Sequence, residues 1–537
     1  MPSSTIGLDT RRPATVSADH VVAHTLFNCF IREVAGPERQ VTLIDDELRL
    51  RLPRLDVTLR ITVRRRSMAG AHRFTGPVFE ESGGTWCELH WRDLAERLAD
   101  ELTLATGVIN EEFLDQVAAS HDVTEQSLRH KANNGDRYLV SEQSLALGHR
   151  FHPTPKSRSG HAGRWQTYAP ELGCRLRLRY LAARADLVRQ QTVPGDDLTM
   201  LDGLRPVPTG YRLLPVHPWQ FELLRHNNTL AAALRDGRLL DLGTDGPLWT
   251  PTSSVRTLHG PGGFLKFSLN VRITNCVRKN SAYELAAAVA LTGLLDDLPI
   301  RMLREPGYRT VDLADRELFE SLGIIAREGV ARHLRPGVTA LLAGAVADEY
   351  PLSRAHVSHL VGDASTDRVL DWWRAYLRLL LPPVLAAFFE HGVVLEPHLQ
   401  NVLVGVDGDG MPAQMLFRDM EGTKLLAERH AVLLASLPPE VAGPMTYTVA
   451  KGWQRVAYCL LVNHVAELLA ALADLRPDLE AELWSLVRAE LAAYHGAPPE
   501  LRAILAGVPV PAKANLLARW QRGSDRQAGY VPLRLPL

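Results

Sequence analysis

The sequence predicts an α+β fold of several lobes, and three observations carry that expectation. Two early runs alternate with a period of two, the segment after them switches to helical spacing, and the last third is helical around one apolar hairpin. A chain of 537 residues has room for about three or four lobes of ordinary size and needs no disulfide or metal to hold its core. The changes in periodicity place the lobes at 1–145, 146–350 and 351–537.

In the first lobe Leu48, Leu50 and Leu52 alternate with Glu47, Arg49 and Arg51, and Val57, Leu59, Ile61 and Val63 alternate with Thr58, Arg60 and Thr62. This predicts an antiparallel meander with one wet face. The cluster Arg64-Arg65-Arg66 then reads as a solvated strand end. From 91 to 145 the spacing of Leu94, Leu98, Leu102 and Leu104 predicts helices, and a Gly/Pro/Ser/Arg-rich stretch at 148–163 ends the periodicity. The middle of the chain reads as strands at 213–216 and 264–273 with an apolar helix at 283–298. Helices follow at 368–390, kinked at Pro382-Pro383, and at 456–475 and 479–494.

Composition narrows the function classes. With 60 Lys+Arg against 61 Asp+Glu the formal charge is −1, which argues against a protein held to nucleic acid or an anionic membrane by bulk charge. Cys29, Cys87, Cys174, Cys276 and Cys459 are odd in number and widely spaced, which predicts reduced thiols in a cytoplasmic protein. The polar start does not read as a secretory signal, and the longest uncharged apolar runs, such as 285–295, fall short of the ~18 residues of a membrane span.

The densest chemistry is Glu396-Pro397-His398-Leu399-Gln400-Asn401, followed by an apolar run, the turn Asp407-Gly408-Asp409-Gly410 and a second apolar run ending in Arg418-Asp419. Two apolar runs about such a turn are a hairpin, which brings Asn401 close to Asp419. An Asn oxygen and a carboxylate so placed suit Mg²⁺ carrying nucleotide phosphates, a kinase-like arrangement. The alternative is a turn-capping Asn401 with Asp419 paired to Arg418 or Lys424, and the crowding of His398, Gln400 and Glu396 in the same loop favours the metal reading.

Upstream, Thr252-Ser253-Ser254-Val255-Arg256-Thr257 is a hydroxyl-rich loop, and a strand through 266–274 would put Lys266, Ser268, Asn270, Arg272 and Thr274 on one face. Such a face can grip a polyphosphate or polycarboxylate, although a solvated outer strand alternates the same way. The loop with His149, His152, Lys156 and Arg158 fits anion contact better than metal binding. No Walker loop, G-x-S-x-G elbow or strand-linked G-x-G-x-x-G is present, which leaves an ATP–Mg enzyme with an anionic acceptor.

Together these blocks resemble the NRPS-independent siderophore (NIS) synthetases, the IucA/IucC or aerobactin synthetase-like family. The matching segments are Gly148-His149-Arg150-Phe151-His152-Pro153-Thr154-Pro155-Lys156, Val216-His217-Pro218-Trp219-Gln220, Thr252-Ser253-Ser254-Val255-Arg256-Thr257, 266–280, 391–401, Arg418-Asp419 and Lys513-Ala514-Asn515-Leu516-Leu517-Ala518-Arg519. The resemblance implies a cupped hand of thumb, fingers and palm with ATP between fingers and palm. The implied activity is an ATP-dependent ligase that adenylates a citrate, citryl-amide, succinyl or 2-oxoglutarate carboxylate. An amine, hydroxylamine or alcohol then takes the acyl group.

By position, the resemblance puts Ser254, Arg256, Lys266, Arg278 and His398 on the phosphates and the carboxylate, with His149 and Lys156 beside them. Thr274, Gln400, Asn401 and Lys513 complete the pocket, Asn401 and Asp419 hold Mg²⁺, and Glu396 reaches the nucleotide or the metal. A homodimer is likewise implied. Arg150 departs from the family's first block, and 1–145 match no block. A kinase-like phosphotransferase and a non-catalytic binding homologue are the competing readings. Only seven of the 60 cations are lysine, and Lys156, Lys266, Lys279 and Lys513 lie within the blocks, an expectation that compact ammonium groups sit where anions are held.

Overall fold

The structure is a computed structural model in which residues 16–130, 135–158, 165–273, 276–350, 353–523 and 528–537 are described. The predicted meander is a five-stranded antiparallel sheet, Val41–Ile44, Glu47–Leu52, Val57–Arg65, Arg73–Ser82 and Thr85–Leu89, in sequence order. Leu48, Leu50, Leu52, Leu59, Ile61 and Val63 enter one core with residues of the helices Ala18–Phe30, Trp91–Thr106 and Phe113–Arg129.

Arg65 corrects the expectation of a solvated strand end. It is buried, with Nε 2.6 Å from Asp474 and Nη1 3.0 Å from Glu480. Arg73 on the next strand donates to the other Asp474 oxygen at 2.7 Å. Strand alternation reports which side a residue faces, and it cannot foresee that acidic residues some 400 positions away cover that side.

The second core packs the sheet order Leu176–Arg177, Leu248–Pro251, Thr257–Gly260, Gly263–Phe267, Ile324–Glu328, Gly307–Val311 and Val188–Thr192. The expected continuous strand at 264–273 is two strands. It breaks at Ser268, whose hydroxyl donates to Glu320 O at 2.6 Å and accepts from Asn280 N at 2.7 Å, and Leu269–Ile273 leaves to pair with Cys276–Arg278. The His217 and Gln220 segment supports that departure. His217 Nδ1 caps the helix Pro218–Leu224 by accepting from Trp219 N, and Gln220 Oε1 accepts from Asn270 N at 2.8 Å.

The third and largest core joins the helix Ala282–Asp296, the strands Thr339–Leu342, Val402–Val406 and Pro412–Phe417, and the C-terminal helices. Thr366–Phe389 continues as helix through Pro382 and Pro383. The helix Val449–Leu475 is long and apolar enough to cross a membrane by length and composition, although charges such as Arg455 and Glu467 keep its uncharged runs short. Its most apolar window is 94% buried, as in a core helix. Its centre, Tyr458–Val465, is π-helical.

The cores cross the expected lobe limits. Leu516 and Trp520, from the helix Asn515–Trp520, pack in the N-terminal core. Glu33 caps that helix by accepting from Leu516 N and Leu517 N at 2.9 Å each, and burial pushes its carboxyl up to about 7 against those bonds.

Candidate active site

The cationic half of the site grows from the middle sheet. In Gly263–Phe267, Lys266 faces the same side as Arg327 of the neighbouring strand, which stands opposite Phe264. Arg256 arrives from the loop before Thr257–Gly260, where Val255 sits at φ +69°. A β-branched residue seldom adopts that left-handed conformation, and it lets the chain reverse tightly enough to aim Arg256 inward. Arg256 Nη1 donates to Asn280 Oδ1 at 2.5 Å and to Phe267 O at 3.2 Å.

The anionic half follows the predicted hairpin. Val402–Val406 and Pro412–Phe417 are antiparallel with Val402 opposite Phe417, and Arg418 N donates to Asn401 O at 3.0 Å. Arg418 and Asp419 then diverge. Arg418 is buried against Glu142, which also accepts from Ser253 N at 3.1 Å and Tyr138 Oη at 2.8 Å. Asp419, at φ +79°, turns instead to Lys266, with Oδ1 2.5 Å from Nζ. This corrects the expected pairing with Arg418 or Lys424.

Glu421 completes the cluster. Its carboxylate contacts the Arg256 guanidinium and lies 3.3 Å from Lys266 Nζ, and Arg278 is within its electrostatic reach. Arg327 bridges Glu305 and reaches to 3.8 Å from Asp419. Burial alone would discharge Lys266, yet Asp419, Glu305 and Glu421 hold its pKa above the ordinary lysine value. Burial alone would likewise protonate Asp419, but Lys266, Arg327 and Arg256 hold it well below the usual carboxylate range. The site is thus a set of fully charged, mutually compensated groups.

The site histidines do not add to the positive charge. Burial pushes His398 down to about 3, against the pull of Asp419, and burial also lowers His149, so both rings are neutral at pH 7. Their Nδ1 atoms accept backbone N–H groups, from Gln400 at 3.3 Å and from Phe151 at 3.0 Å, which leaves the proton on Nε2. His149 lies within electrostatic reach of both His398 and Lys513. Ser254 Oγ accepts from Thr257 N at 3.2 Å, and Gln400 Nε2 donates to Ser253 Oγ at 3.4 Å. Asn401 Nδ2 donates to Glu396 O at 3.2 Å.

Other expected site residues are engaged elsewhere. Lys156 is buried with its ammonium on Leu145 O and 3.3 Å from Glu171. Glu396 pairs with Arg455 at 3.0 Å, Lys279 with Glu320 at 3.0 Å, and Arg150 with Glu467 at 3.1 Å. The break at Ser268 undoes the single polar face: Asn270 Nδ2 bonds Ser321 Oγ, and Arg272 is exposed. Thr274 lies outside the described residues.

Sequence reasoning missed Glu421, Arg327, Glu305 and Glu142. Glu421 carried a signal, an acid two positions after Asp419 in the same turn. The others are single charges in a strand, a loop and a helix, and only tertiary packing brings them to the site.

A family model described as "IucA / IucC family" matches residues 137–348, and one described as "Ferric iron reductase FhuF-like transporter" matches 370–529. The chain is 32% identical over 383 residues to the L-2,3-diaminopropanoate–citrate ligase of Staphylococcus aureus, covering 66% of this chain and 65% of that protein. It is 28% identical to the rhizobactin siderophore biosynthesis protein RhbC of Rhizobium meliloti, covering 97% and 98%. The fold matches the ATP-bound aerobactin synthetase IucA of Klebsiella pneumoniae with TM-score 0.85 at 24% identity, covering 97% of this chain and 100% of that one.

Proposed function

The chain belongs to the IucA / IucC family, and from that premise we propose that it is an ATP-dependent siderophore synthetase. It adenylates a carboxylate of the citrate, citryl-amide, succinyl or 2-oxoglutarate type and condenses it with an amine, hydroxylamine or alcohol. The carrying observation is the convergence of Arg256, Lys266 and Arg278 on Asp419 and Glu421 where the middle sheet meets the C-terminal hairpin. Relatives named for citrate joined to diaminopropanoate or spermidine support the substrate class.

In this reading a carboxylate oxygen attacks the α-phosphorus of ATP, pyrophosphate leaves, and the amine attacks the acyl carbon and expels AMP. No protein nucleophile is required. Arg256, Lys266 and Arg278 supply fixed positive charge where the phosphate gains negative charge, and preorganised donors of this kind are worth on the order of 10²-fold or more each. His398 and His149 serve as neutral donors through Nε2–H. Ser254, Gln400, Lys513 and Thr274 complete the contacts to the two anions, whereas Lys156, held by Glu171 and Leu145 O, braces the loop beside them.

In this reading Asn401 and Asp419, with Glu421 alongside, would hold Mg²⁺, since an amide oxygen and carboxylates are hard-oxygen donors and the ion ordinarily takes one or two carboxylates and fills its remaining positions with phosphate oxygens and water. Bound there, it would neutralise phosphate charge. The lobes 1–145, 146–350 and 351–537 correspond in this reading to thumb, fingers and palm of a cupped hand, with Asn515–Trp520 belonging to the thumb. The protein acts in the cytoplasm, as a homodimer, on small molecules and not on nucleic acid or membrane.

The test crosses citrate, succinate and 2-oxoglutarate with polyamines and N-hydroxydiamines and follows products from ATP. Carboxylate-dependent AMP and pyrophosphate are expected. ADP as the main product would overturn the ligase in favour of a phosphotransferase, and turnover at background with every pair would leave only a binding protein.

A further inference from the structure

Behind the His398 loop lies a buried polar chain that the proposed mechanism does not use. His464 and Tyr376 are each 0% exposed. His464 Nδ1 lies 2.7 Å from Pro397 O, and its Nε2 lies 2.6 Å from Tyr376 Oη. A carbonyl oxygen can only accept, so Nδ1 carries the proton, and Nε2 must then accept from the phenol. Tyr376 is itself fixed by stacked contacts with Trp372 and Trp373, whose ring centroids are 5.2 and 5.8 Å away.

The acceptor in this chain is the peptide carbonyl immediately before His398. The preceding carbonyl, Glu396 O, is held separately by Asn401 Nδ2 at 3.2 Å. Both peptide planes leading into His398 are therefore set by side chains, one of them reaching in from another element. A third bond, Gln400 N to His398 Nδ1, fixes the ring's rotation and tautomer.

The source of His464 carries its own information. It belongs to the π-helical segment Tyr458–Val465, inside an otherwise α-helical stretch from Val449 to Leu475. A π turn widens the helix and shifts the facing of every side chain after it, at a cost in hydrogen-bond geometry, and such turns recur at functional sites. Here the widened turn places two successive residues: Asn463 lies beside the His149 ring, and His464 reaches the His398 loop. Burial also holds the His464 ring neutral, with its pKa pushed down to about 4 although the Pro397 carbonyl pulls upward. An apolar side chain would fill the same interior space without that expense.

We propose that His464, oriented by Tyr376, is a positioning residue that aims His398 at the reacting phosphate and carboxylate by holding the Pro397 peptide. The inference rests on the ligase reading above. It adds a residue outside all the matched sequence blocks, acting through a backbone carbonyl.

The experiment compares His464→Leu, His464→Asn and Tyr376→Phe in the full-length chain. Carboxylate-dependent pyrophosphate release is read as kcat and KM, ATP binding by calorimetry, and folding by thermal midpoint. An Asn amide can stand where Nδ1–H stands, so His464→Asn keeps the donor that His464→Leu removes. His464→Leu is expected to lower kcat by about tenfold to a hundredfold, the scale of a misaimed catalytic group, with a much smaller change in ATP affinity. His464→Asn should recover most of that loss, and Tyr376→Phe should fall between the two.

In a His398→Ala background, adding His464→Leu should cost nothing further, because its effect passes through the missing ring. An unimpaired His464→Leu, equal impairment of the Leu and Asn variants, or multiplicative losses with His398→Ala would each overturn the positioning role. Should His464→Leu fail to fold, the Asn and Phe variants decide by the same measures. Wild-type protein that yields no carboxylate-dependent pyrophosphate would instead overturn the ligase reading itself.

Discussion

The lysines divide by what surrounds them. Lys266 is buried between Asp419 and Glu421, whereas Lys279 pairs with Glu320 while 27% exposed, and Lys156 is committed to Glu171 in the interior. The expectation that every lysine in the matched blocks holds an anion is therefore too broad, because a short block cannot tell a site wall from a strand's outer edge. Lys266→Met should lower carboxylate-dependent pyrophosphate release on the order of 10²-fold and lower the thermal midpoint, since it strands two carboxylates. Lys279→Arg should leave both near wild type, because Arg keeps the charge that pairs with Glu320 and the partly exposed position has room for the larger head group. Kinetics and thermal melts on the two variants check this. Neutral His398 was not legible at this scale, because its pKa comes from burial that the residue type does not encode.

Among the elements, the hairpin and the meander were legible because their periodicity and turn residues are local. The break at Ser268 was not, because the groups that hold the chain there, Glu320 O and Asn280 N, come from later in the sequence. The His217 segment, one of the blocks that carry the resemblance, serves as a helix cap. Burial pushes the His217 ring down to about 3, while an unfolded chain protonates histidine near 6.5. As pH falls from about 6.5 toward 3 the unfolded state gains a proton that the folded state refuses, so His217 withdraws about 1.4 kcal/mol of stability per pH unit. His217→Asn keeps an acceptor for Trp219 N and cannot titrate in this range. Urea unfolding at pH 6 and pH 5 should then show a slope against pH shallower by about one proton in the variant.

Over the whole molecule, the two ends of the chain share one core. Trp520 packs with Phe113 at a centroid distance of 5.4 Å, and Asn110 Nδ2 donates to the carbonyls of Arg519 and Trp520 at 3.1 and 3.0 Å. Trp520→Ala should cost ~3–5 kcal/mol. Hydrogen exchange should show the loss in the strands Glu47–Leu52 and Val57–Arg65, far away in sequence, and exchange confined to the C-terminal helices would contradict it. The site, in turn, is assembled from parts that carry their own counter-charges. Arg256 and Lys266 already have carboxylate partners, so a nucleotide bound as proposed does not meet an open positive well and shares those cations with Asp419 and Glu421. With both cations already paired to carboxylates, little net positive charge is left for salt to screen. The affinity for ATP should therefore weaken little between low and physiological salt, and a chain kept free of nucleotide should hold its pocket shaped and waiting.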